Sequence, residues 1–284
     1  MENYEVQLIG QEKFELGESP FYDPRFDRYS WVDIIRGEIW TMNEDGERFC
    51  LEFGQPVGAA VPVSAKEGLL LAAKDGLYYL DDGTVTLVKD LSEYFKPYLR
   101  SNDAKADPMG RVFFGSSLAE DGRPPEGSLY RFSEAGIEIV EAHTKIANGM
   151  AWSGDHTKFF FADSEEHAVF VYDYDEQSGA VSNRRVLFTI EDGVPDGMCI
   201  DAKDHLYAAV WGGSRIEKRD GTTGEKLGEI AVPAKQVTSC CFAGEDLKTL
   251  FITTAGVGQS GKYDGCLFTC RVDEEGRGPD FARL

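Results

Sequence analysis

The sequence predicts an all-β fold, a six-bladed β-propeller whose ring is closed by the N-terminal strand in the last blade. The first observation behind this is the module IANGMAWSGDHTKFFFADSEEHAVFVYDY at residues 146–174, in which three short β-signals are separated by turn chemistry. The second is that the module recurs. Aligned on the residue that opens its first strand, it begins at Glu18, Ala59, Asn102, Asn148, Asp196 and Thr238, with spacings of 41, 43, 46, 48 and 42 residues. A period in the forties with several strands per unit is the mark of propeller blades. The third is a shortfall. The last repeat supplies three strand signals, and the strand-like YEVQLI at residues 4–9 belongs to no complete repeat. Pairing the two closes the ring and removes two exposed sheet edges.

One domain spanning residues 1–284 accounts for the chain, and 42% hydrophobic residues with 31 glycines suit a β-rich globule with many tight turns. The formal charge of −21 excludes a nucleic-acid surface, which needs clustered Lys and Arg. No apolar stretch reaches transmembrane length, and no basic-then-apolar leader opens the chain. The six cysteines show no CxxC pair, so they read as free buried thiols of a cytoplasmic protein rather than a disulfide framework.

Each blade opener has geometric meaning, because the first strand of a blade lines the central channel. Glu18, Asn148 and Asp196 together make an oxygen-rich set for a hard divalent cation; the alternative is that they satisfy turns or bind channel water. In the first blade, Glu18 beside Pro20 suits neither a turn nor a strand, which favours a role in the ring. The second blade opens with Gly58-Ala59-Ala60, without ligand chemistry, leaving a gap for substrate.

The third blade carries Arg100-Ser101-Asn102-Asp103. Strand alternation puts Arg100 and Asn102 on the channel face as donors to a polyhydroxylated or anionic ligand, and turns Ser101 and Asp103 away. The connection SSLAEDGRPPE at residues 116–126 is long enough for a lid, and Glu120 lies in it. In the fifth blade Asp196-Gly197 is also a routine turn signal, and only its opener register points to the channel. Trp211-Gly212-Gly213 reads as a bulge with a packed indole, a substrate platform being the alternative. The sixth blade opens with uncharged Gln236-Val237-Thr238-Ser239, a channel wall. The four histidines fall in predicted turns, away from every opener, which argues against a His-based triad. There is no GxSxG elbow, Walker A or dinucleotide fingerprint.

The segments LGESPFYDPRFDRYSWVDI, RSNDAKADPMGRVFFGS, IANGMAWSGDHTKFFFAD, GVPDGMCIDAKDHLYAAVWGG and QVTSCCFAGEDLKTLFITTA, in this order, resemble the SMP-30/gluconolactonase/regucalcin family over residues 16–255. The resemblance implies a six-bladed propeller with one divalent metal ion (Ca, Mg, Mn or Zn) in the channel. It places the metal ligands on Glu18, Asn148 and Asp196, the substrate contacts on Arg100 and Asn102, and a lid-side carboxylate on Glu120. Ala104 stands where the family usually has glycine. The activity expected is metal-dependent opening of a sugar-type lactone to its aldonic acid, with Asp196 also serving as base. The alternatives are hydrolysis of another lactone or a phosphotriester, and non-catalytic calcium binding. The expected partner is a small lactone, with neither nucleic acid nor membrane.

Overall fold

Short apolar runs broken by Gly-, Asp- and Asn-containing turns form hairpins in preference to helices. The computed structural model, which describes residues 4–65, 67–119 and 122–284, consists of six four-stranded antiparallel sheets. Among the described residues the only helical element is the 3-10 turn Ser164–Glu166. Each sheet is one blade, and its innermost strand lines the axis: Gly17–Asp23, Val57–Pro62, Leu99–Ala106, Ala147–Trp152, Val194–Ile200 and Gln236–Ala243 for blades 1 to 6.

Blade 6 closes as the sequence predicts. Val6–Ile9 lies at its outer edge, antiparallel to Leu267–Arg271, with Val6 opposite Cys270 and Ile9 opposite Leu267. The second strands are almost wholly buried, as in Leu69–Ala73, whereas the outermost strands, such as Thr84–Asp90, are mostly exposed. The core therefore lies between neighbouring blades. Between blades 3 and 4, for example, Phe113 meets Trp152 edge-on at 5.2 Å, and Phe159 stands 5.0 Å from the same indole.

Three smaller expectations need correction. His143 lies within the strand Gly136–Thr144 and His205 opens His205–Trp211, so two of the four histidines are in strands. All six cysteines are free, yet Cys50 is exposed rather than buried. The long connection after blade 3's second strand is shorter than expected, because that strand continues to Leu118 and the next begins at Gly127.

The other end of the ring is crossed by residues 273–284. This segment pairs with blade 5 through Asp201 and Gly276, and Arg277 N donates to Ile200 O at 3.1 Å. It then reaches the opposite side of the ring, where Ala282 bridges Val63 of blade 2 and Arg283 N donates to Gly110 O at 2.8 Å. The Arg25 guanidinium sits 4.0 Å from the Phe281 ring centroid and helps fix this strap. Above the strap, the Lys105 ammonium of blade 3 donates to Met198 O of blade 5, across the axis.

Candidate active site

All six innermost strands break register with their neighbours at the same depth. The shifts fall between Glu18 and Phe21, Val57 and Ala59, Ser101 and Ala104, Asn148 and Met150, Pro195 and Met198, and Val237 and Ser239. Each is a bulge with one extra residue, the device that re-aims side chains out of strand alternation. The bulges form one layer around the axis, and the candidate site is built on it.

A cavity of about 440 Å³ opens above this layer. Glu18, Asn148 and Asp196 line it and are 6%, 5% and 4% exposed. Glu18 Oε2 accepts from Ser19 N at 2.8 Å, and the Glu18 and Asp196 carboxyls lie close enough to act on each other. Burial, reinforced by Asp103, pushes the Glu18 carboxyl up to about 8. Burial and Glu18 likewise hold Asp196 well above the usual carboxylate range. Asn148 Nδ2 donates to Ser164 Oγ at 3.1 Å, leaving Asn148 Oδ1 and Asp196 Oδ1 buried without a partner.

This donor set fits a hard cation. Among the described residues no group of three or more His, Cys, Asp or Glu side chains stands ready to hold a metal. With the Asn148 carboxamide included, however, three oxygen-bearing side chains share the cavity, two of them with orphaned oxygens. Buried carboxylates in contact repel unless protonated or bridged by positive charge, and carboxylate and amide oxygens suit calcium, magnesium or manganese.

Arg100 and Asn102 line the same cavity, as alternation implied. Arg100 Nη1 donates to Asn102 Oδ1 at 2.7 Å and to Ser101 O at 2.8 Å, while Asn102 Nδ2 donates to Ala147 O at 3.0 Å. Burial lowers the Arg100 guanidinium to about 10, and Glu18 and Asp196 partly offset this. Ser101 does turn away, its hydroxyl donating to Ala72 O of blade 2.

Asp103 does not turn away. It is buried, acts electrostatically on both Glu18 and Asp196, and leaves Oδ2 without a partner. The extra residue between Ser101 and Ala104 resets the alternation, so residues that the two-residue period separates come to share the axis.

Two other expectations fail for related reasons. In blade 2 the bulged residue is Gly58 rather than Ala59, and a methyl built on it meets Asn102 O at 2.1 Å. The gap is thus filled by blade 3's backbone and holds no substrate. Thr238 is a stitch rather than a wall, since its hydroxyl donates to Gly17 O at 2.6 Å and so ties blade 6 to blade 1. Ala104 is fully buried in the core between blades 2 and 3, so its methyl does not enter the cavity. Glu120 lies outside the described residues.

Sequence reasoning missed Leu16, Ser117, Ile146, Ser164, Glu165 and Val194, which complete the lining, and set Trp211 aside as a packed indole although it lines the cavity. Leu16 and Ile146 are legible in retrospect, as each stands two residues before a polar opener. Their amides are anchored alike: Leu16 N donates to Asp33 Oδ1 at 3.3 Å and Ile146 N to Asp163 Oδ1 at 3.1 Å.

Comparison with known proteins gives a consistent picture. Residues 16–256 match the family model described as SMP-30/Gluconolactonase/LRE-like region. The chain is 35% identical over 276 residues to the Bacillus subtilis (strain 168) protein YvrE, whose name assigns it provisionally to the sugar lactone lactonases; 93% of this chain and 94% of that one are covered. It is also 35% identical over 269 residues to Danio rerio regucalcin, covering 91% and 89%. Among solved structures, a luciferin-regenerating enzyme superposes with TM-score 0.93 at 27% identity, covering 99% of this chain and 100% of that one. A regucalcin of Agrobacterium tumefaciens, described as a calcium-binding protein, superposes with TM-score 0.93 at 25% identity, covering 99% and 98%.

Proposed function

Because the chain belongs to the SMP-30/gluconolactonase/LRE-like family, we propose that it is a hydrolase opening a lactone ring with the help of one divalent cation. The observation that carries this reading is the convergence of Glu18, Asn148 and Asp196, with two orphaned oxygens, in the same cavity as Arg100. A site built only to store a cation has no use for a guanidinium at that depth. A site that binds an ester carbonyl does.

Glu18, Asn148 and Asp196 would hold the cation. When bound, the cation supplies Lewis-acid stabilisation of the negative charge that develops on the lactone carbonyl oxygen. The chain's own residues do the rest. Arg100 has donors beyond Nη1 to orient the ring oxygens, and Asn102 fixes Arg100 through its Oδ1. Asp196 accepts a proton from the attacking water as the oxygen bonds to the acyl carbon. The ring C–O bond then breaks, and the proton passes to the departing alkoxide, leaving a hydroxy acid. In the same reading Glu120 would help orient the substrate's oxygens.

The test is a panel of lactones on metal-stripped protein reloaded in turn with calcium, magnesium, manganese or zinc, with acid release followed by indicator. Sugar lactones, named for the B. subtilis relative, are the first substrates to try. Turnover is expected only after reloading. A protein that binds cation but releases no acid from any lactone is a container for calcium, the reading that the name of the A. tumefaciens structure favours.

A further inference from the structure

The cavity's floor and mouth differ in chemistry. Around the polar floor, the apolar part of the wall is formed by Leu16 of blade 1, Ile146 of blade 4, and Val194 and Trp211 of blade 5, all half-buried, with Ser117 and the exposed Glu165 as its polar members. Val194 and Trp211 are directly paired across adjacent strands, so the isopropyl group and the indole stand side by side. The Asp33 and Asp163 anchors hold Leu16 and Ile146 in place before any ligand arrives. This is a preformed apolar surface, continuous with a polar reaction centre.

Two of the polar groups near that wall, Asn102 and Ser164, have little capacity left, so the open ones are Ser117, Glu165 and the remaining Arg100 donors. Asn102 spends Oδ1 on Arg100 and Nδ2 on Ala147 O. Ser164 accepts from Asn148 and donates to Pro195 O at 2.7 Å. A ring with a hydroxyl on every carbon would press several of them against aliphatic side chains, losing water without gaining partners. An alkyl group in the same place loses nothing and covers the indole.

We propose that the preferred substrate is a lactone carrying an alkyl substituent, seated between Trp211, Val194, Leu16 and Ile146 while the ester lies over the polar floor. The inference rests on the hydrolase reading above and narrows its substrate class.

The experiment uses the cation-loaded full chain with δ-valerolactone, its methyl, propyl and pentyl homologues, and glucono-δ-lactone. Each added methylene should raise kcat/KM about threefold, mainly through KM, so that the pentyl homologue exceeds the unsubstituted ring on the order of a hundredfold. Trp211→Ala should cut that pentyl-to-unsubstituted ratio at least about tenfold. Ile146→Ser, on another blade, should cut it too, and decides the matter if the Trp211 variant folds poorly. A flat series in the parent, glucono-δ-lactone ahead of the pentyl homologue, or an unchanged ratio in both variants overturns the inference and leaves the hydrolase reading standing. No turnover of any lactone overturns the hydrolase reading, and this inference with it.

Discussion

The same six inner strands line both ends of the central channel, and the two ends balance charge differently. At the bulged end, Glu18, Asp103 and Asp196 are buried together, and Arg100 is the cation acting on Glu18. At the strap end, Asp280 is half-buried among Arg277, His156 and Lys105, which pull its carboxyl down, with the buried Asp107 the one carboxylate that pushes it up. The consequence is graded. Burial and Asp103 push Glu18 to about 8, whereas burial leaves Asp280 at about 6. The orphaned oxygens of Asp103, Asn148 and Asp196 are all in the bulged layer. One end is nearly complete in itself, and the other is short of positive charge. Buried carboxylates without counter-charge weaken a fold, so their concentration at one end marks the place kept for something the chain does not supply.

The largest effect that tests this contrast is expected at Asp196. Asp196→Asn keeps an oxygen able to bind a hard cation but loses the negative charge and the base. Turnover at saturating cation should fall roughly 10²-fold or more. Glu18→Gln should instead bind cation more weakly and recover much of its activity as cation is added. Activity titrated against cation, with bound metal quantified at each point, separates them; coincident rescue curves would remove Asp196 from the role of base.

Removing the bulged end's own cation should have a smaller effect. Arg100→Ala should lower kcat/KM about tenfold, corresponding to roughly 1.4 kcal/mol. Divalent-cation affinity, read by calorimetry, should hold or rise, because a competing positive charge is gone. Weaker cation binding would mean that Arg100 supports the floor's structure and not the substrate.

The smallest effect is at the strap. Asp280's carboxyl stands at about 6 in the fold, above its ordinary value of 3.8, so the folded state binds that proton more tightly than the unfolded chain. Stability therefore falls as pH rises through the window from about 4 to 6 and stays lower above it, by up to about 3 kcal/mol. Asp280→Asn should match the parent in urea at pH 4 and exceed it at pH 7. Equal stability at both would show that the cations around Asp280 fully compensate it.

The parts of the fold legible in the sequence are the parts that repeat. Six polar or small openers at near-constant spacing located the inner strands, and an unpaired N-terminal strand located the closure. Outer strands such as Thr84–Asp90 and Val181–Thr189 were left out of the repeat, because they are mostly exposed and no opener marks them: Val85 and Leu87 alternate with threonine but face solvent, and residues 182–185 are a polar run. The site was legible at Glu18, Asn148, Asp196, Arg100 and Asn102, whose residue types are unsuited to plain strands. It was illegible at Asp103 and Gly58, because a one-residue bulge reverses the facing of every residue after it in the strand, and no two-residue period reports an insertion. Trp211 was misread because Gly212-Gly213 after it suggested a packed bulge, whereas its cross-strand pairing with Val194 puts the indole on the cavity wall.

The strap also governs traffic. Residues 273–284 lie across one end, and the Lys105 side chain spans the axis to Met198 O between them and the site, so passage from that end is obstructed. Under the proposed lactone hydrolysis, the hydroxy acid would leave by the open end at which the lactone enters, and accumulating acid would then slow turnover as a simple competitor of the substrate.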